Sequence, residues 1–275
     1  MKLFRTFALG CLLTLAAASA SAADKPAITI NGSTTVLPIM QSVSESYMAA
    51  HPDIQIELSG GGSGNGIKAL IEGQTMLAMS SRDIKPGETD QAKAKGVTPF
   101  RVSVAIDALA PVVHPDNKVA ALSLDQLKAM YEGKVSNWKE VGGDDARIVL
   151  ISRDTSSGTY ETWAELVMKG EKVTPSALMQ ASNGAVVQAV SKNKNAIGYI
   201  GIGYLDKSVK SLKIGEATVS AENALSRVWP LSRELYVFAN GQPNGALQEF
   251  IAYLLDPAKG QKAVKESGFV PLPKP

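Results

Sequence analysis

Three glycine–hydroxyl turns constrain this chain most, because each follows a β-like run and precedes a helix-like run. They occupy residues 32–36, 60–66 and 153–160. A strand–turn–helix unit that recurs in this way is typical of α/β proteins, in which ligands bind at the edge where the strands end. The sequence therefore predicts an α/β fold with a site assembled from turns that lie far apart in the chain.

These turns have the chemistry of an anion site. Each places free backbone N–H groups at a helix N-terminus, where the helix dipole favours negative charge. Arg153 adds a rigid fork of charged donors, and Ser157 and Thr159 add hydroxyls. Gly158 lets the backbone approach a ligand closely. Together these features predict a pocket for a small oxyanion.

Hydrophobic periodicity predicts how the turns are connected. A β-α-β-α-β order is expected over residues 28–30, 36–50, 54–58, 67–73 and 76–79. Two longer apolar β-like runs, residues 102–113 and 235–238, are expected to carry the chain from a first lobe into a second and back. We therefore predict mixed central sheets flanked by helices, with two crossover strands between the lobes.

The start of the chain has the pattern of a secretory signal peptide over residues 1–22. Lys2 and Arg5 precede an apolar run, and Ala20-Ser21-Ala22 is an A-x-A site, so cleavage is expected after Ala22. The chain's one cysteine, Cys11, lies inside this segment. Lipid attachment at Cys11 is disfavoured, because Leu9 lies one position closer to the cysteine than the usual lipid-attachment pattern requires. Disulfide and thiol chemistry are then not expected in the exported protein.

Charge gives no support for a polyanionic partner. Removal of Lys2 and Arg5 with the signal lowers the 28 basic residues to the number of acidic ones, 26. A nucleic-acid or anionic-membrane surface is therefore not predicted, and any anion site is local.

Each turn also has a purely structural explanation. Arg153 can pair with Asp154 while Ser156 caps the next helix, and Thr34 or Thr35 can cap without any ligand. The glycine-rich turn can be a flexible connection, and it is not a P-loop, because Ile67-Lys68 follows Gly66 where Lys-Ser/Thr is required. The repetition of the same turn type in three places favours the anion site.

Signatures of enzymes and metal sites are weak. His51 and His114 each precede a proline, as turn residues do, and no G-x-S-x-G motif occurs. The histidine and cysteine clusters of metal sites are also missing from the sequence. We predict no catalytic residues, no metal and no cofactor. Trp138, Trp163 and Trp229 are expected to serve cores or domain contacts.

The three turns resemble those of the periplasmic phosphate-binding proteins of high-affinity phosphate ABC transporters. The resemblance rests on Gly32-Ser33-Thr34-Thr35, on Gly62-Ser63-Gly64 and on Arg153 with Ser157-Gly158-Thr159. It extends over the chain after the signal, through residues 106–113, 136–138 and 196–200. This family has a two-lobed type II solute-binding fold that closes on its ligand by hinge motion. The resemblance implies that the phosphate contacts are Thr34, Thr35, Ser63, Arg153, Ser157, Gly158 and Thr159.

One position departs from the family pattern. Well-studied members have an aspartate at the end of the third strand, where this chain has Ser81, which we also assign to the site. That aspartate resembles a proton acceptor for the ligand's own O–H. Arg82 is expected either to enter the pocket or to pair with an acidic neighbour such as Asp83. Asp83, Asp154 and Glu161 are the nearest candidates for a replacement acceptor.

The sequence thus predicts an exported periplasmic receptor that captures inorganic phosphate and delivers it to an ABC permease with its ATPase. It is expected to be a monomer that performs no chemistry. The expected lobes are residues 23–106 plus 236–275, and residues 107–235. Alternatives are a receptor for another tetrahedral oxyanion, such as sulfate or molybdate, and a secreted phosphate-ester hydrolase.

Overall fold

The computed structural model describes residues 27–273. The predicted signal peptide over residues 1–22 and its cleavage after Ala22 lie outside these residues. Within the described part, no helix combines the length and the apolar character needed to cross a membrane.

Strands and helices alternate along most of the chain. Within residues 27–273 the strands are β1 (Ala27–Gly32), β2 (Gln55–Gly60), β3 (Leu77–Ser80), β4 (Pro99–Val113), β5 (Ala121–Leu122), β6 (Val149–Arg153), β7 (Leu178–Gln180), β8 (Ala196–Gly201), β9 (Lys210–Ser211), β10 (Lys213–Ile214) and β11 (Ser232–Asn240). Over the same residues the α-helices are α1 (Leu37–Ala50), α2 (Ser63–Ile71), α3 (Pro86–Ala94), α4 (Leu124–Tyr131), α5 (Gly158–Leu166), α6 (Asn183–Ser191), α7 (Ala221–Leu225), α8 (Gly245–Leu255) and α9 (Gly260–Glu266). Short 3₁₀ helices span Trp138–Val141 and Ile202–Tyr204.

The first three strands form a parallel unit and confirm the predicted β-α-β-α-β order. β1 lies between β2 and β3, with Ile30 opposite Leu58 on one side and Leu77 on the other. Helix α2 packs closely on β1, because a Cβ at Gly66 would lie 2.6 Å from the backbone oxygen of Asn31. Parallel strands end at one edge, so the turns after β1, β2 and β3 are brought together.

Strands β4 and β11 join the two ends of one mixed sheet. The strand order is β2-β1-β3-β11-β4-β8-β6-β7, and β9 also pairs with β4. β11 runs antiparallel to both β3 and β4, and β4 continues past β11 to pair with β8. The β4–β11 register shifts between Leu235 and Tyr236. The two long apolar runs of the sequence are therefore the central strands, and the predicted mixed α/β sheet flanked by helices is confirmed.

Two large apolar cores lie at different ends of this sheet. One contains Val43 of α1 with Phe250 and Val264 of the last helices. The other surrounds Trp163, whose ring stacks on Tyr199 with centroids 4.2 Å apart. Trp138, Trp163 and Trp229 are all buried in this second core, which confirms their predicted role.

Helix α3 is the main element that the periodicity does not predict. Only Ala92 of this helix is buried, so it has no apolar stripe to detect. It is instead started by a proline, Pro86, and by the Glu88 side chain, which accepts a hydrogen bond from the Lys85 backbone N–H at 2.9 Å. Helix α2 also begins earlier than predicted, at Ser63, because glycines within it mask the helical pattern.

Candidate functional site

The structure brings all eight predicted site residues together, from both ends of the sheet. Thr34 and Thr35 lie between β1 and α1, Ser63 begins α2, and Ser81 follows β3. We call these four the first half-site. The second half-site consists of Arg153 at the end of β6, Ser157 as the N-cap of α5, and Gly158 and Thr159 in the first turn of α5. All eight residues are buried.

The two half-sites touch directly. The hydroxyls of Thr35 and Thr159 are 2.9 Å apart, and Arg153 Nη2 donates to Thr34 Oγ1 at 3.2 Å. The backbone N–H of Gly64 donates to the Ser156 carbonyl at 2.9 Å. The fit at Gly158 is tight, since a Cβ there would lie 2.4 Å from Ser63 Oγ and 2.7 Å from Ser81 Oγ.

Helix N-termini point into this contact from both sides. Helix α2 begins after Gly62, whose φ of 102° is in the region that favours glycine, and no side chain caps it. Helix α5 begins after its N-cap, Ser157, whose hydroxyl accepts from the Tyr160 N–H at 3.2 Å. The first N–H groups of a helix have no carbonyl partner within that helix, so both ends offer donors and a positive dipole.

Arg153 is a buried cation with one free donor. Its side chain is 1% exposed; Nε donates to the Gln180 carbonyl at 3.0 Å and Nη2 to the Ala181 carbonyl at 3.0 Å. Nη1 has no hydrogen-bond partner within the described residues. Burial lowers the pKa of Arg153, although the charge of Asp154 opposes the shift. A desolvated cation with an unused donor favours an anionic ligand.

Serine hydroxyls occupy the place where well-studied members of the resembling family have an aspartate. The Ser81 N–H donates to Ser63 Oγ at 3.0 Å, and the two hydroxyl oxygens are 3.3 Å apart. A serine hydroxyl can donate as well as accept, so this pair does not impose a proton on a neighbouring oxygen.

The side chain of Arg82 pairs with acidic residues, and Asp83 is not its main partner. It forms two hydrogen bonds to the Glu88 carboxylate, both 2.7 Å, and an ion pair with Glu161 at 2.6 Å. Lys85 also pairs with Glu161 at 2.7 Å. Because Glu161 lies on α5 while Arg82 and Lys85 follow β3, these ion pairs connect the segments that carry the two half-sites.

The three candidate replacement acceptors are engaged elsewhere. Asp83 pairs with Arg101 at an exposed position, and Glu161 binds Arg82 and Lys85. Asp154 accepts hydrogen bonds from the backbone N–H and the hydroxyl of Ser156. These contacts give no support to a carboxylate facing the site from any of the three.

Sequence reasoning missed two polar residues that donate to the threonines of the half-sites, and the carboxylate of Asp107, which holds one of them. Arg233 Nη2 donates to Thr159 Oγ1 at 2.9 Å and is held by Asp107, and Asn183 Nδ2 donates to Thr35 Oγ1 at 3.0 Å. Asp107 had a usable signal, because a carboxylate inside an apolar strand run needs a buried partner. Asn183 and Arg233 had no comparable signal in the sequence.

The assembled site suits binding of a tetrahedral oxyanion. Its contributions are a cation, hydroxyls and helix N-termini, which are the donors that an oxyanion accepts. The histidines are engaged elsewhere: His51 stacks on Tyr47, with centroids 4.2 Å apart, and His114 Nδ1 accepts from the Asp116 N–H. Among residues 27–273, no cluster of three or more His, Cys, Asp or Glu residues is placed to hold a metal.

Comparison with known proteins identifies relatives over nearly the whole chain. A family model described as a PBP superfamily domain matches residues 17–258. The phosphate-binding protein PstS of Pseudomonas aeruginosa (strain PAO1) is 34% identical over 265 residues, covering 88% of this chain and 82% of that protein. The phosphate-binding protein PstS of Bacillus subtilis (strain 168) is 31% identical over 246 residues, covering 89% and 80%.

Solved structures are similar over the same extent. A substrate-binding protein from Clostridium perfringens, solved with bound phosphate, has a TM-score of 0.83 at 34% identity, covering 90% of this chain and 100% of that one. An ABC-type phosphate transport receptor from Vibrio cholerae has a TM-score of 0.73 at 35% identity, with the same coverage of both chains.

Proposed function

The chain belongs to the PstS family of phosphate-binding proteins within the PBP superfamily, and on that basis we propose that it is a receptor for inorganic phosphate in a phosphate ABC transport system. Its fold is the two-lobed type II periplasmic binding protein fold of its structural neighbours. The ligand is captured between the two half-sites and is released unchanged to the permease.

The observation that carries this proposal is the free Nη1 donor of Arg153. It belongs to a buried guanidinium whose Nη2 contacts the Thr34 hydroxyl, and within residues 27–273 Nη1 has no protein acceptor. A phosphate oxygen supplies the missing acceptor and the opposite charge. A charge-assisted hydrogen bond of this kind contributes about 1.5–3 kcal/mol.

The proposed phosphate contacts come from both half-sites. In the first, neutral hydroxyls and helix N-termini surround the anion; in the second, the guanidinium adds full charge. The contacts are Thr34, Thr35, Ser63, Ser81, Arg153, Ser157, Gly158 and Thr159. Their common burial and the direct contacts across the half-sites support this assignment.

The proposed lobes are residues 23–106 plus 236–275, and residues 107–235. The two apolar cores support this division, because one draws on the chain before residue 106 and after residue 234, and the other mainly on the part between. β4 and β11 then form the hinge, since both strands run from one core to the other.

The proposed location and partners follow from the same family membership. The protein is exported to the periplasm after cleavage behind Ala22, acts as a monomer, and docks on a permease whose ATPase drives transport. Nucleic acid is not a partner in this proposal, and the protein is a receptor without catalytic residues.

Calorimetric titration of ligand-stripped protein tests this function, with phosphate, arsenate, sulfate and molybdate as separate ligands. We expect phosphate to bind with one site per chain. Incubation with a phosphate monoester, p-nitrophenyl phosphate, is expected to give no turnover above buffer. Lack of heat with phosphate contradicts the proposal, and steady release of p-nitrophenol supports the hydrolase alternative instead.

A specific observation also keeps sulfate as a second candidate ligand. The Ser63–Ser81 pair replaces a fixed proton acceptor, and sulfate differs from phosphate in having no O–H to donate. We therefore expect phosphate to be preferred but excess sulfate to compete measurably. If sulfate leaves phosphate binding unchanged from acid to mildly alkaline pH, this weak rejection is wrong.

A further inference from the structure

Thr35 and Thr159 place two hydroxyls at the centre of the site, and the direction of each hydroxyl hydrogen decides whether the group attracts or repels an oxyanion. Thr35 Oγ1 and Thr159 Oγ1 lie 2.9 Å apart, and the residues are 1% and 0% exposed. A hydroxyl has one hydrogen to donate and lone pairs that accept. Only a hydroxyl that donates toward the ligand stabilises an oxyanion, whereas one that presents its lone pairs repels it.

Asn183 contacts Thr35 as a donor, and its orientation is set by the backbone. The amide oxygen of Asn183 accepts the Gly201 N–H at 3.2 Å, so the NH₂ group faces the other way. That group donates to Thr35 Oγ1 at 3.0 Å and, more weakly, to Thr34 Oγ1 at 3.4 Å. Thr35 therefore receives a hydrogen bond from Asn183 and keeps its own hydrogen for another acceptor.

Arg233 has the same relation to Thr159. A guanidinium has no acceptor, so the 2.9 Å contact from Nη2 to Thr159 Oγ1 has one direction only. Asp107 holds Arg233 in place through Nε at 2.9 Å and Nη2 at 2.7 Å. Asp107 itself also accepts the Ile202 N–H at 2.9 Å.

From this geometry we infer that Asn183 and Arg233 are positioning residues that make the hydroxyls of Thr35 and Thr159 donate to the bound oxyanion. The inference rests on the proposed function. It deepens that function by adding residues that act through the threonines without contacting the ligand.

The inferred hydroxyl directions decide which part of the site binds the protonated oxygen of phosphate and which part binds the unprotonated oxygens. Because each threonine hydroxyl already accepts one hydrogen bond, from Asn183 or from Arg233, both are expected to donate to ligand oxygens that carry no hydrogen. The Ser63–Ser81 pair is then the part of the site whose hydroxyls can accept an O–H, since within residues 27–273 neither serine accepts a hydrogen bond from an amide or guanidinium side chain. Phosphate binds with its protonated oxygen toward these serines.

A double-mutant cycle tests the inference on the Asn183 arm. Asn183→Leu has a similar shape but no donor, and Thr35→Val removes the hydroxyl while keeping the branched shape. Phosphate affinity is measured by calorimetry for the wild type, both single variants and the double variant. We expect Asn183→Leu alone to weaken phosphate binding about tenfold, which corresponds to ~1.4 kcal/mol.

The decisive measurement is the loss of phosphate affinity that Asn183→Leu causes in a protein that already carries Thr35→Val. If Asn183 acts through the Thr35 hydroxyl, Asn183→Leu weakens binding by less than about threefold there, because coupled residues are not additive. An equal loss in both backgrounds overturns the inference and assigns Asn183 a packing role. Absence of phosphate binding by the wild type instead contradicts the proposed function.

The Arg233 arm keeps the test decisive if Asn183→Leu does not fold. Arg233→Lys retains a positive charge opposite Asp107 but loses the fork that reaches Thr159. It is combined with Thr159→Val in the same cycle, and the melting temperature without phosphate reports folding. We expect the Arg233→Lys loss in affinity to be smaller when Thr159 is already valine, and an unchanged loss overturns the inference for this arm.

Discussion

The two half-sites differ in how they are charged, although both consist mainly of hydroxyls at helix starts. The second contains Arg153, whose Nη1 has no acceptor within residues 27–273. The first is followed directly in sequence by Arg82, whose side chain is engaged by Glu88 and Glu161. Net charge for the ligand thus comes from one side, while the other side supplies hydroxyl geometry. The difference suggests that the half-site with Arg153 attracts the anion, while the half-site of neutral hydroxyls selects among anions.

Removal of the Arg153 charge from the second half-site is expected to have the largest effect on phosphate affinity. Arg153→Ala is expected to weaken phosphate binding by roughly ten- to a hundredfold, because a charged hydrogen bond contributes about 1.5–3 kcal/mol. Arg147→Ala is the matched control, since Arg147 lies just before the same strand but is exposed. Calorimetry compares the two, and equal affinities in both variants remove Arg153 from the site.

The fit between the half-sites is expected to matter nearly as much. Gly158→Ala places a methyl group 2.4 Å from Ser63 Oγ, and overpacking of this kind costs about 1–3 kcal/mol. Phosphate affinity is expected to fall roughly tenfold. Phosphate is also expected to reduce the radius of gyration of the wild type in solution scattering, and this reduction is expected to be smaller in the variant.

A second glycine provides the control for Gly158. Gly184 also lies in the first turn of a helix, but an added Cβ there meets only Ser182 Oγ, at 3.9 Å. Gly184→Ala is expected to leave affinity and scattering unchanged. If both alanine variants bind phosphate like the wild type, the tight contact at Gly158 does not contribute to ligand capture.

The ion pairs between Glu161 and the segment after β3 are expected to have a moderate effect. Glu161→Gln removes the charge that binds Arg82 and Lys85, so roughly a two- to fivefold loss in phosphate affinity is expected, in the range of partly exposed pairs. The loss is expected to shrink at high salt, because salt screens such pairs. Glu165→Gln, one turn later on α5 and exposed, is the control. An identical salt dependence in both variants contradicts this role.

The smallest expected effect is on stability in acid. Burial by itself raises the pKa of Glu88, but hydrogen bonds from Arg82 and from the Lys85 backbone reverse this, so the pKa is lowered overall. A carboxylate with a lowered folded-state pKa stabilises the fold above its unfolded pKa, and loses that contribution as pH falls through the folded value. Melting temperature is therefore expected to fall less steeply below the ordinary glutamate pKa in Glu88→Gln than in the wild type.

The sequence predicted the parts of the fold that have a strong local pattern. The β-α-β-α-β order and the central strands β4 and β11 follow from apolar periodicity, and the turns follow from glycine and hydroxyl residues. α3 escaped prediction because it buries almost nothing. The proposed site residues in the turns could be named for the same reason, since their chemistry is concentrated in short segments.

The partners of the site were not predictable because they depend on tertiary contacts. Arg82 has Asp83 next to it in sequence, yet Glu88 and Glu161 are its ion-pair partners. Asn183 reaches Thr35 across 148 positions of sequence, and no local pattern encodes such a contact. Contacts between side chains that lie far apart in the sequence depend on how the whole sheet and its helices pack.

The burial of the site has a kinetic consequence. Ser63 and Thr159 are 0% exposed and Arg153 is 1% exposed, so no ligand of phosphate size enters or leaves through the arrangement described. Exchange then requires the half-sites to separate, and the dissociation rate cannot exceed the rate of that opening. In stopped-flow release experiments with a trapping protein, the observed rate is therefore set by the protein's own motion. A transporter that speeds the separation accelerates delivery without competing for the ligand.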